Sequence, residues 1–325
     1  MTAADPTTAL STYDTVERQI FLRAVLSGVD LGAAAAQIAS LITDVYFTAG
    51  TVIYREGEST DHLYFVVEGT VSLTREGEEP WLMQERSVIG ALDAALDQPH
   101  ARTAVAVDDV HVMLLAIEDW QDILEDHSDL AQAMVLRNAR GLHEMCLRLA
   151  PSGGFAEPPP PDSDPEGPAS STTPGELDPV DRLVILTEAG LFQRAGIQPL
   201  LTLATTARTR RLEAGEVLFE QGQRVTELYL VARGLIDIER EDPVLRARFG
   251  PGALVAGPPA LANVERAFTA RAATDAVVLV VRRDELLDVM EDHFAALRSV
   301  LAYLAVERDR MQRLEAEFRA SRDRH

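Results

Sequence analysis

Hydrophobic and polar positions follow the same order in both halves of the chain. Each half opens with an apolar helical stretch, "LGAAAAQIASLI" from Leu31 and "IQPLLTLATT" from Ile197. Runs of five or six residues rich in Val, Ile, Leu and Tyr follow, separated by glycines or acidic turns, which is typical of β-strands. A helical pattern then closes each half, over 119–149 and 284–320. The chain is therefore predicted to be mainly β with flanking α-helices.

The two halves are copies of one unit. The stretch "AGTVIYREGESTDHLYFVVEGTVSL" (49–73) aligns without a gap with "AGEVLFEQGQRVTELYLVARGLIDI" (214–238). The aligned glycine pairs are Gly50 with Gly215, Gly57 with Gly222 and Gly69 with Gly234. Glycines at fixed positions suit tight turns or bulges, where a positive φ or a close backbone approach is needed. A repeat of short strands with such turns predicts two β-barrel or jelly-roll domains.

A proline-rich stretch separates the copies. The residues "PSGGFAEPPPPDSDPEGPASSTTPGELDP" (151–179) contain almost no large apolar side chain. Such a segment cannot bury enough surface to offset its chain entropy, so it is predicted to be a disordered or extended linker. The predicted organisation is an N-terminal tail (1–17), a first domain (18–149), the linker (150–180) and a second domain with a long C-terminal helix (181–325).

Charge and composition narrow the function. The chain has 52 acidic against 30 basic residues, a formal net charge of -22, which opposes binding to nucleic-acid phosphate. The tightest basic cluster, Arg208, Arg210 and Arg211, is interpreted as a solvated strand edge. No apolar run approaches the roughly 18 residues of a membrane span, and no secretory signal opens the chain. We expect a cytoplasmic protein that neither binds nucleic acid nor inserts into a membrane.

The sequence patterns of catalytic and metal sites are missing. The seven histidines form no His-x-His or His-x-x-x-His pair, and no Gly-x-Ser-x-Gly or phosphate-loop motif occurs. The single cysteine, Cys146, lies on a helical pattern, where a small buried hydrophobe is the expected role. We therefore predict neither an enzyme nor a metal site.

Both halves resemble the cyclic nucleotide-binding domain, in tandem as in the regulatory subunits of protein kinase A. The resemblance rests on the strand and turn pattern of 49–73, on "RTAVAVDD" (102–109) and on "LLAIEDWQDIL" (114–124). It covers about 18–149 and 181–320. It implies a phosphate-binding cassette, in which a glutamate takes a ribose hydroxyl and an arginine nine residues later pairs with the cyclic phosphate. The implied ligand is cyclic AMP or cyclic GMP.

The first copy departs from that cassette. The ungapped register puts His100 at the phosphate position and Ala91, after Gly90, at the glutamate position. A second register uses Arg102 for the phosphate and Asp93, nine residues earlier, for the ribose. The second register requires the strand to slip by two residues, which keeps the same side chains facing inward. Both registers stay open at this point.

The second copy departs in another way. Its ungapped register places Arg266 at the phosphate position, while Gly257 replaces the glutamate and Ala256 the glycine before it. Pro258 and Pro259 follow, and each removes one backbone donor from the cassette. The arginine alone could hold an anion, whereas the ribose contact is missing.

These departures favour one class of function and leave two others open. The preferred hypothesis is a non-enzymatic regulatory or adaptor protein with two degenerate cyclic nucleotide-binding domains, acting through protein partners. One alternative is a sensor of a cyclic nucleotide or another small anion whose binding moves the C-terminal helix. Another is a structural accessory of a larger assembly.

The C-terminal helix is the predicted contact with a protein partner or a second chain. Its apolar residues recur at spacings of three, four and seven, which a short coiled coil would use. They are Leu297, Leu301, Leu304, Met311 and Phe318.

Overall fold

The structure is a computed structural model and describes residues 14–149, 177–241, 245–255 and 257–322. Most of the predicted tail, up to residue 13, and residues 150–176 of the predicted linker lie outside these ranges. Contacts divide the chain into two compact units, Met1–Ala133 and Met134–His325, here called unit 1 and unit 2.

Unit 1 folds as two facing antiparallel sheets with helices at its ends. The described helices are α1 (Thr15–Val25), α2 (Ala34–Leu41), α3 (Ala91–Leu96), α4 (Ile117–Asp126) and α5 (Ser128–Leu149), which continues into unit 2. The strands are β1 (Thr43–Phe47), β2 (Val52–Tyr54), β3 (His62–Glu68), β4 (Val71–Thr74), β5 (Trp81–Met83), β6 (Val88–Ile89), β7 (Thr103–Ala106) and β8 (Val110–Ala116). The strand orders are β1-β8-β3-β6 and β2-β7-β4-β5.

Unit 2 repeats this arrangement. The described helices are α6 (Pro179–Glu188), α7 (Ile197–Thr206), α8 (Gly257–Ala262), α9 (Arg283–Asp292) and α10 (Phe294–Arg322), with a 3₁₀ turn at Gly190–Phe192. The strands are β9 (Arg208–Leu212), β10 (Val217–Phe219), β11 (Glu227–Arg233), β12 (Ile236–Arg240), β13 (Leu245–Phe249), β14 (Leu254–Val255), β15 (Thr269–Ala272) and β16 (Ala276–Arg282). The sheets, β9-β16-β11-β14 and β10-β15-β12-β13, match those of unit 1 strand for strand. The predicted mainly-β fold with two jelly-roll domains is confirmed.

Capping residues set where the first helix of each unit begins. The Asp14 carboxylate accepts the backbone N–H of Glu17, whose side chain accepts the N–H of Asp14 in return. Asp178 and Asp181 form the same reciprocal pair at α6, where Pro179 stands at the first helical position. Each pair satisfies helix N–H groups that have no partner within the helix.

Alternate residues of the strands form one core per unit. Inward side chains recur every second position because successive residues of a strand point to opposite faces. In unit 1 the core includes Val66, Val71 and Val112, and in unit 2 Val231 and Val278, all fully buried. Tyr54 belongs to the core of unit 1 and contacts His100, and Phe219 belongs to the core of unit 2 and contacts Arg266.

A buried polar cluster joins α1 to the sheet of unit 1. Asp44, 2% exposed, lies 2.7 Å by Oδ1 from Nε2 of His111 and accepts from Nη2 of Arg18 at 2.5 Å. Arg18 also donates to two carbonyls at the end of α2. In unit 2 the positions of Asp44 and His111 are taken by Thr209 and Val277. The cluster is therefore a feature of unit 1 alone among the described residues.

The closing helix of each unit is interrupted, which corrects the prediction of single helices over 119–149 and 284–320. α4 ends before His127 and α9 ends before His293, and both histidines leave the helical conformation, with ψ angles of 76° and 97°. His127 places Nε2 2.9 Å from Oε1 of Gln37 on α2. This tertiary contact holds the break between α4 and α5 in place.

The second half of α5 makes its contacts within unit 2. Arg140 Nε donates to the carbonyl of Ala262, the last residue of α8, at 3.3 Å. Burial raises the pKa of the Cys146 thiol to about 12, and the charge of Glu307 on α10 acts in the same direction. Residues 134–149, which the sequence repeat assigns to the first domain, thus lie beside α8 and α10 of unit 2.

Most of the predicted α10 contact surface is covered by the chain itself. Leu297, Leu304 and Met311 are buried, with at most 2% of each exposed. Leu301 is half-buried, and Phe318 keeps 40% of its surface exposed. A contact with a second chain would therefore use a different face of α10 from the one that the spacing suggested.

Candidate functional site

His100 and Arg266 occupy the same backbone position in the two units. The carbonyl of His100 accepts the N–H of Gly57, and its own N–H donates to the residue after that glycine. Arg266 makes the same pair of bonds with Gly222 and the residue after it, and all four distances lie between 2.8 and 2.9 Å. Because Gly57 and Gly222 are aligned in the sequence repeat, the structure places His100 where the ungapped register has it.

In unit 1, His100 contacts a carboxylate of the chain itself. Its side chain is 1% exposed, and Nδ1 lies 3.1 Å from Oδ2 of Asp93 on α3. The ring stacks on Tyr54 with 3.6 Å between centroids. Burial and then the charge of Asp93 raise the pKa of the Tyr54 hydroxyl well above its usual value. The Asp93 carboxylate thus stands beside the side chain that a phosphate would contact.

Arg102 has a separate partner in the same unit. Its Nη2 donates to Oε2 of Glu78 at 2.5 Å, and its guanidinium carbon lies 3.8 Å from the Trp81 ring centroid. Its Nη1 is buried with no hydrogen-bond partner in the described chain. The pairing of Arg102 with Asp93 that the second register needs is not formed, because Arg102 pairs with Glu78 and Asp93 with His100.

The glutamate position of unit 1 has no polar side chain. Gly90 precedes α3 with φ +83°, and a Cβ there would lie 2.9 Å from the carbonyl oxygen of His62. A side chain at residue 90 would therefore force the backbone to move. Ala91 follows as the first residue of α3 and is exposed.

In unit 2, Arg266 is a buried cation held by aromatic rings. It is 3% exposed, and its guanidinium carbon lies 3.9 Å from the Phe219 centroid and 5.2 Å from that of Tyr229. Nη2 donates to the carbonyl of Glu227 at 2.9 Å. Burial lowers the pKa of Arg266 to about 10, opposed by Tyr229 and Glu227, so the side chain stays charged at neutral pH.

The charge of Arg266 is incompletely compensated. Its Nη1 is buried and has no hydrogen-bond partner among the described residues. The nearby Glu227 carboxylate, whose charge raises the pKa of Arg266, pairs with Arg208 through Oε1 and accepts the Tyr229 hydroxyl through Oε2. A buried charge that is only partly compensated is costly, and an anion placed at Nη1 would offset that cost.

The glutamate position of unit 2 is filled by apolar groups. A Cβ on Gly257 would overlap the Leu254 side chain, and the hydroxyl of Tyr303 on α10 lies 3.6 Å from the same point. Pro258 and Pro259 offer no backbone N–H. Ala256, the remaining predicted cassette residue, lies outside the described residues.

Sequence reasoning did not single out Tyr54, Trp81, Glu78, Phe219 or Leu254. Tyr54 and Phe219 carried a usable signal, because they are aligned in the repeat and both are aromatic. The contacts of Trp81 and Glu78 with Arg102 join segments more than 20 residues apart, and the contact of Leu254 with Gly257 depends on how the chain turns between them, so only the folded chain shows them.

Neither a candidate metal site nor a membrane-spanning helix is present among the described residues. No group of three or more His, Cys, Asp or Glu side chains is arranged to hold a metal ion. In the same part of the chain, no helix combines the length and the apolar character needed to cross a membrane.

Comparison with known proteins identifies the domain type. A family model described as the cyclic nucleotide-binding domain matches residues 44–127 and 209–293, together just over half of the chain. The first match lies within unit 1 and the second within unit 2.

Two bacterial relatives have been named as ion channels. A protein of Rhodopseudomonas palustris named as a potassium channel protein is 36% identical over 93 residues, 28% of this chain. A cyclic nucleotide-gated potassium channel of Rhizobium etli is 28% identical over 129 residues, 38% of this chain. The matches span only 23% and 36% of the length of these relatives.

Solved structures similar to the chain include regulatory proteins of kinases. The regulatory domain of Toxoplasma gondii PKA with cAMP is 14% identical, covers 91% of this chain and 98% of its own, and has a TM-score of 0.35. The regulatory subunit of a cAMP-independent protein kinase A from Trypanosoma brucei is 17% identical, with coverages of 89% and 88% and a TM-score of 0.34.

Proposed function

Because the chain belongs to the cyclic nucleotide-binding domain family, with one domain in each unit, we propose that it is a non-enzymatic regulatory protein that acts through protein partners. Unit 2 holds the ligand-responsive pocket in this proposal, and Arg266 is its anion contact. The observation that carries the assignment is the buried Nη1 of Arg266, which has no partner among the described residues.

Unit 1 takes a structural or adaptor role in the same proposal. The side chain at its phosphate position, His100, already contacts the carboxylate of Asp93, and Arg102 already contacts Glu78. An incoming anion would meet both carboxylates and would have to displace them. Like charges brought close together in a pocket of low dielectric repel each other strongly, so these contacts oppose anion binding in unit 1.

Replacing Arg266 is expected to weaken ligand binding to unit 2. Isothermal titration of the full-length protein with cyclic AMP, cyclic GMP and inorganic phosphate, up to millimolar concentration, should show binding of at least one of them. In Arg266→Ala the affinity should fall about 10- to 100-fold, the usual contribution of a hydrogen bond to a charged group. Arg248→Ala is the matched control, because Arg248 is exposed and pairs with Asp237 on the neighbouring strand.

A ligand-free adaptor is the second candidate. It is favoured by the burial of both phosphate-position side chains, with His100 2% and Arg266 3% exposed. Titrations that show no heat with any of the three ligands would support this candidate and contradict the ligand-responsive pocket.

The proposed partner contact is the exposed part of α10. Val306 is 42% exposed at the helix surface, unlike the buried Leu304 two residues earlier. We expect Val306→Asp to weaken association with a partner or with a second copy of the chain. Light scattering after size exclusion, over a range of protein concentrations, measures the self-association. If the unmodified protein and Val306→Asp have the same mass, and that mass does not depend on concentration, self-association through this surface is contradicted.

A further inference from the structure

The space beside Gly257 is occupied by the Leu254 side chain. A side chain at this position would overlap Leu254 on β14, and Tyr303 on α10 lies on the other side of the same space. The family resemblance places the ribose contact here. A ribose hydroxyl brought to this point would meet the methyl groups of Leu254 in place of the carboxylate that the family resemblance implies. Losing the strong hydrogen bond to such a carboxylate in apolar surroundings is unfavourable.

The phosphate half of the pocket keeps its cation. Nη1 of Arg266 is buried and unpartnered, while Nη2 is already bonded to the carbonyl of Glu227. Guanidinium N–H groups form strong charge-assisted hydrogen bonds to phosphate oxygens. Pro258 and Pro259 provide no backbone donors, so the anion would depend on the arginine.

The burial of Arg266 also limits the size of the ligand. Only 3% of the residue is exposed, so any anion that reaches Nη1 must displace side chains that cover it. Interiors are close-packed, and the displacement needed grows with the volume that enters. A tetrahedral anion needs a smaller opening than a nucleotide.

We infer that unit 2 binds a small phosphate without a ribose, either free phosphate or a phosphate monoester, through Arg266, and that Leu254 excludes the cyclic nucleotide. This inference rests on the proposed function, because it names the ligand class of the same pocket. Leu254 is then the residue that determines specificity.

The test compares ligands and variants by isothermal titration of the full-length protein. The ligands are inorganic phosphate, methyl phosphate, cyclic AMP and cyclic GMP, and the variants are Arg266→Ala and Leu254→Ala. In the unmodified protein, one of the two small phosphates should bind about tenfold or more tightly than either cyclic nucleotide, because the ribose hydroxyl loses its hydrogen bonds. Which small phosphate binds more tightly distinguishes free phosphate from a monoester.

Leu254→Ala should reduce the difference in affinity between phosphate and cyclic AMP. With the side chain shortened, the affinity for cyclic AMP should rise about tenfold relative to phosphate, comparable to the discrimination that a few methylene groups provide. Leu82→Ala is the control, because Leu82 is a 62% exposed leucine of unit 1. Circular dichroism establishes that each variant is folded, and the ligand ranking in the unmodified protein tests the inference without any variant.

The remaining outcomes separate the two proposals. Cyclic nucleotides that bind more tightly than the small phosphates, and lose affinity in Arg266→Ala, would overturn the ligand class and leave the Arg266 pocket standing. Small phosphates that bind equally well to Arg266→Ala would place their site elsewhere and overturn the inference. No binding by any ligand would overturn both the inference and the ligand-responsive pocket.

Discussion

Asp44→Ala is expected to lower the free energy of unfolding of unit 1 by about 3–5 kcal/mol, the usual result of removing one partner from a buried ion pair. Asp44 receives Arg18 and His111 in a site where 2% of it is exposed. Without the carboxylate, Arg18 loses the ion pair with Asp44 and His111 loses the hydrogen bond to it. Because Arg18 also caps α2, the attachment of α1 should weaken as well.

The measurement can be confined to unit 1. The chain has two tryptophans, Trp81 and Trp120, and both lie in unit 1. Urea unfolding followed by tryptophan fluorescence therefore reports on the unit that carries the substitution. The midpoint should fall while the slope stays the same, which is the signature of a change in stability.

Thr209→Val is the matched control for Asp44→Ala at the equivalent position of unit 2. The Thr209 hydroxyl is buried and has no hydrogen-bond partner among the described residues. Replacing it by a methyl group should leave the stability of unit 2 unchanged or raise it by about 1 kcal/mol, because an unsatisfied polar group is removed. Circular dichroism follows both units, and the unfolding transition that tryptophan fluorescence does not report is assigned to unit 2. A loss in Asp44→Ala no larger than the change in Thr209→Val would contradict the role given to the cluster.

The architecture was predictable because its determinants are local. Strand alternation, turn glycines and capping residues all act over a few positions, and the repeat shows each of them twice. The unbroken closing helices were the exception. His127 and His293 lie inside helical patterns, and the bend at His127 is held by Gln37 on α2, ninety positions away. A contact of that kind leaves no periodic trace in the sequence.

The residues at the cassette positions could be predicted from the sequence, whereas the side chains that they contact could not. A strand slip of two keeps the same faces inward, so the hydrophobic pattern fits both registers of the first copy. The backbone bonds of His100 decide its position, and its contact with Asp93 joins one residue from each register. In the second copy the sequence shows that the glutamate is absent, whereas the filling of its space by Leu254 depends on packing.

The two cassettes differ in the charged side chains that they contain. Asp93 and Arg102 of unit 1 correspond to Pro259 and Phe268 of unit 2 when the copies are aligned on His100 and Arg266. In unit 1, Asp93 pairs with His100 and Arg102 pairs with Glu78, whereas unit 2 has apolar residues at the positions of Asp93 and Arg102 and keeps one cation, Arg266, at the phosphate position. This difference is why ligand response is proposed for unit 2, although neither cassette has its glutamate.

Gly234→Ala is the second substitution expected to have a large effect, and it lies in the turn between β11 and β12. Gly234 has φ +77°, and a Cβ there would overlap the carbonyl oxygen of Asp275. The left-handed conformation alone costs a residue with a Cβ about 1–2 kcal/mol, and overpacking adds about 1–3 kcal/mol, so the loss should be about 2–5 kcal/mol. The obstacle is backbone of the neighbouring strand, which cannot rotate away as a side chain could.

Gly215→Ala distinguishes the cost of the positive φ from the cost of the overlap with neighbouring backbone. Gly215 has φ +89° and nothing within 4 Å of a Cβ, so this variant should lose only the conformational part, about 1–2 kcal/mol. Urea unfolding of unit 2, followed by circular dichroism, compares both variants with the unmodified protein. If Gly234→Ala and Gly215→Ala lower the free energy of unfolding equally, the positive φ alone explains why glycine is needed at these aligned positions. A larger loss in Gly234→Ala would show that this pair, Gly69 and Gly234, is also needed for the close approach of two strands.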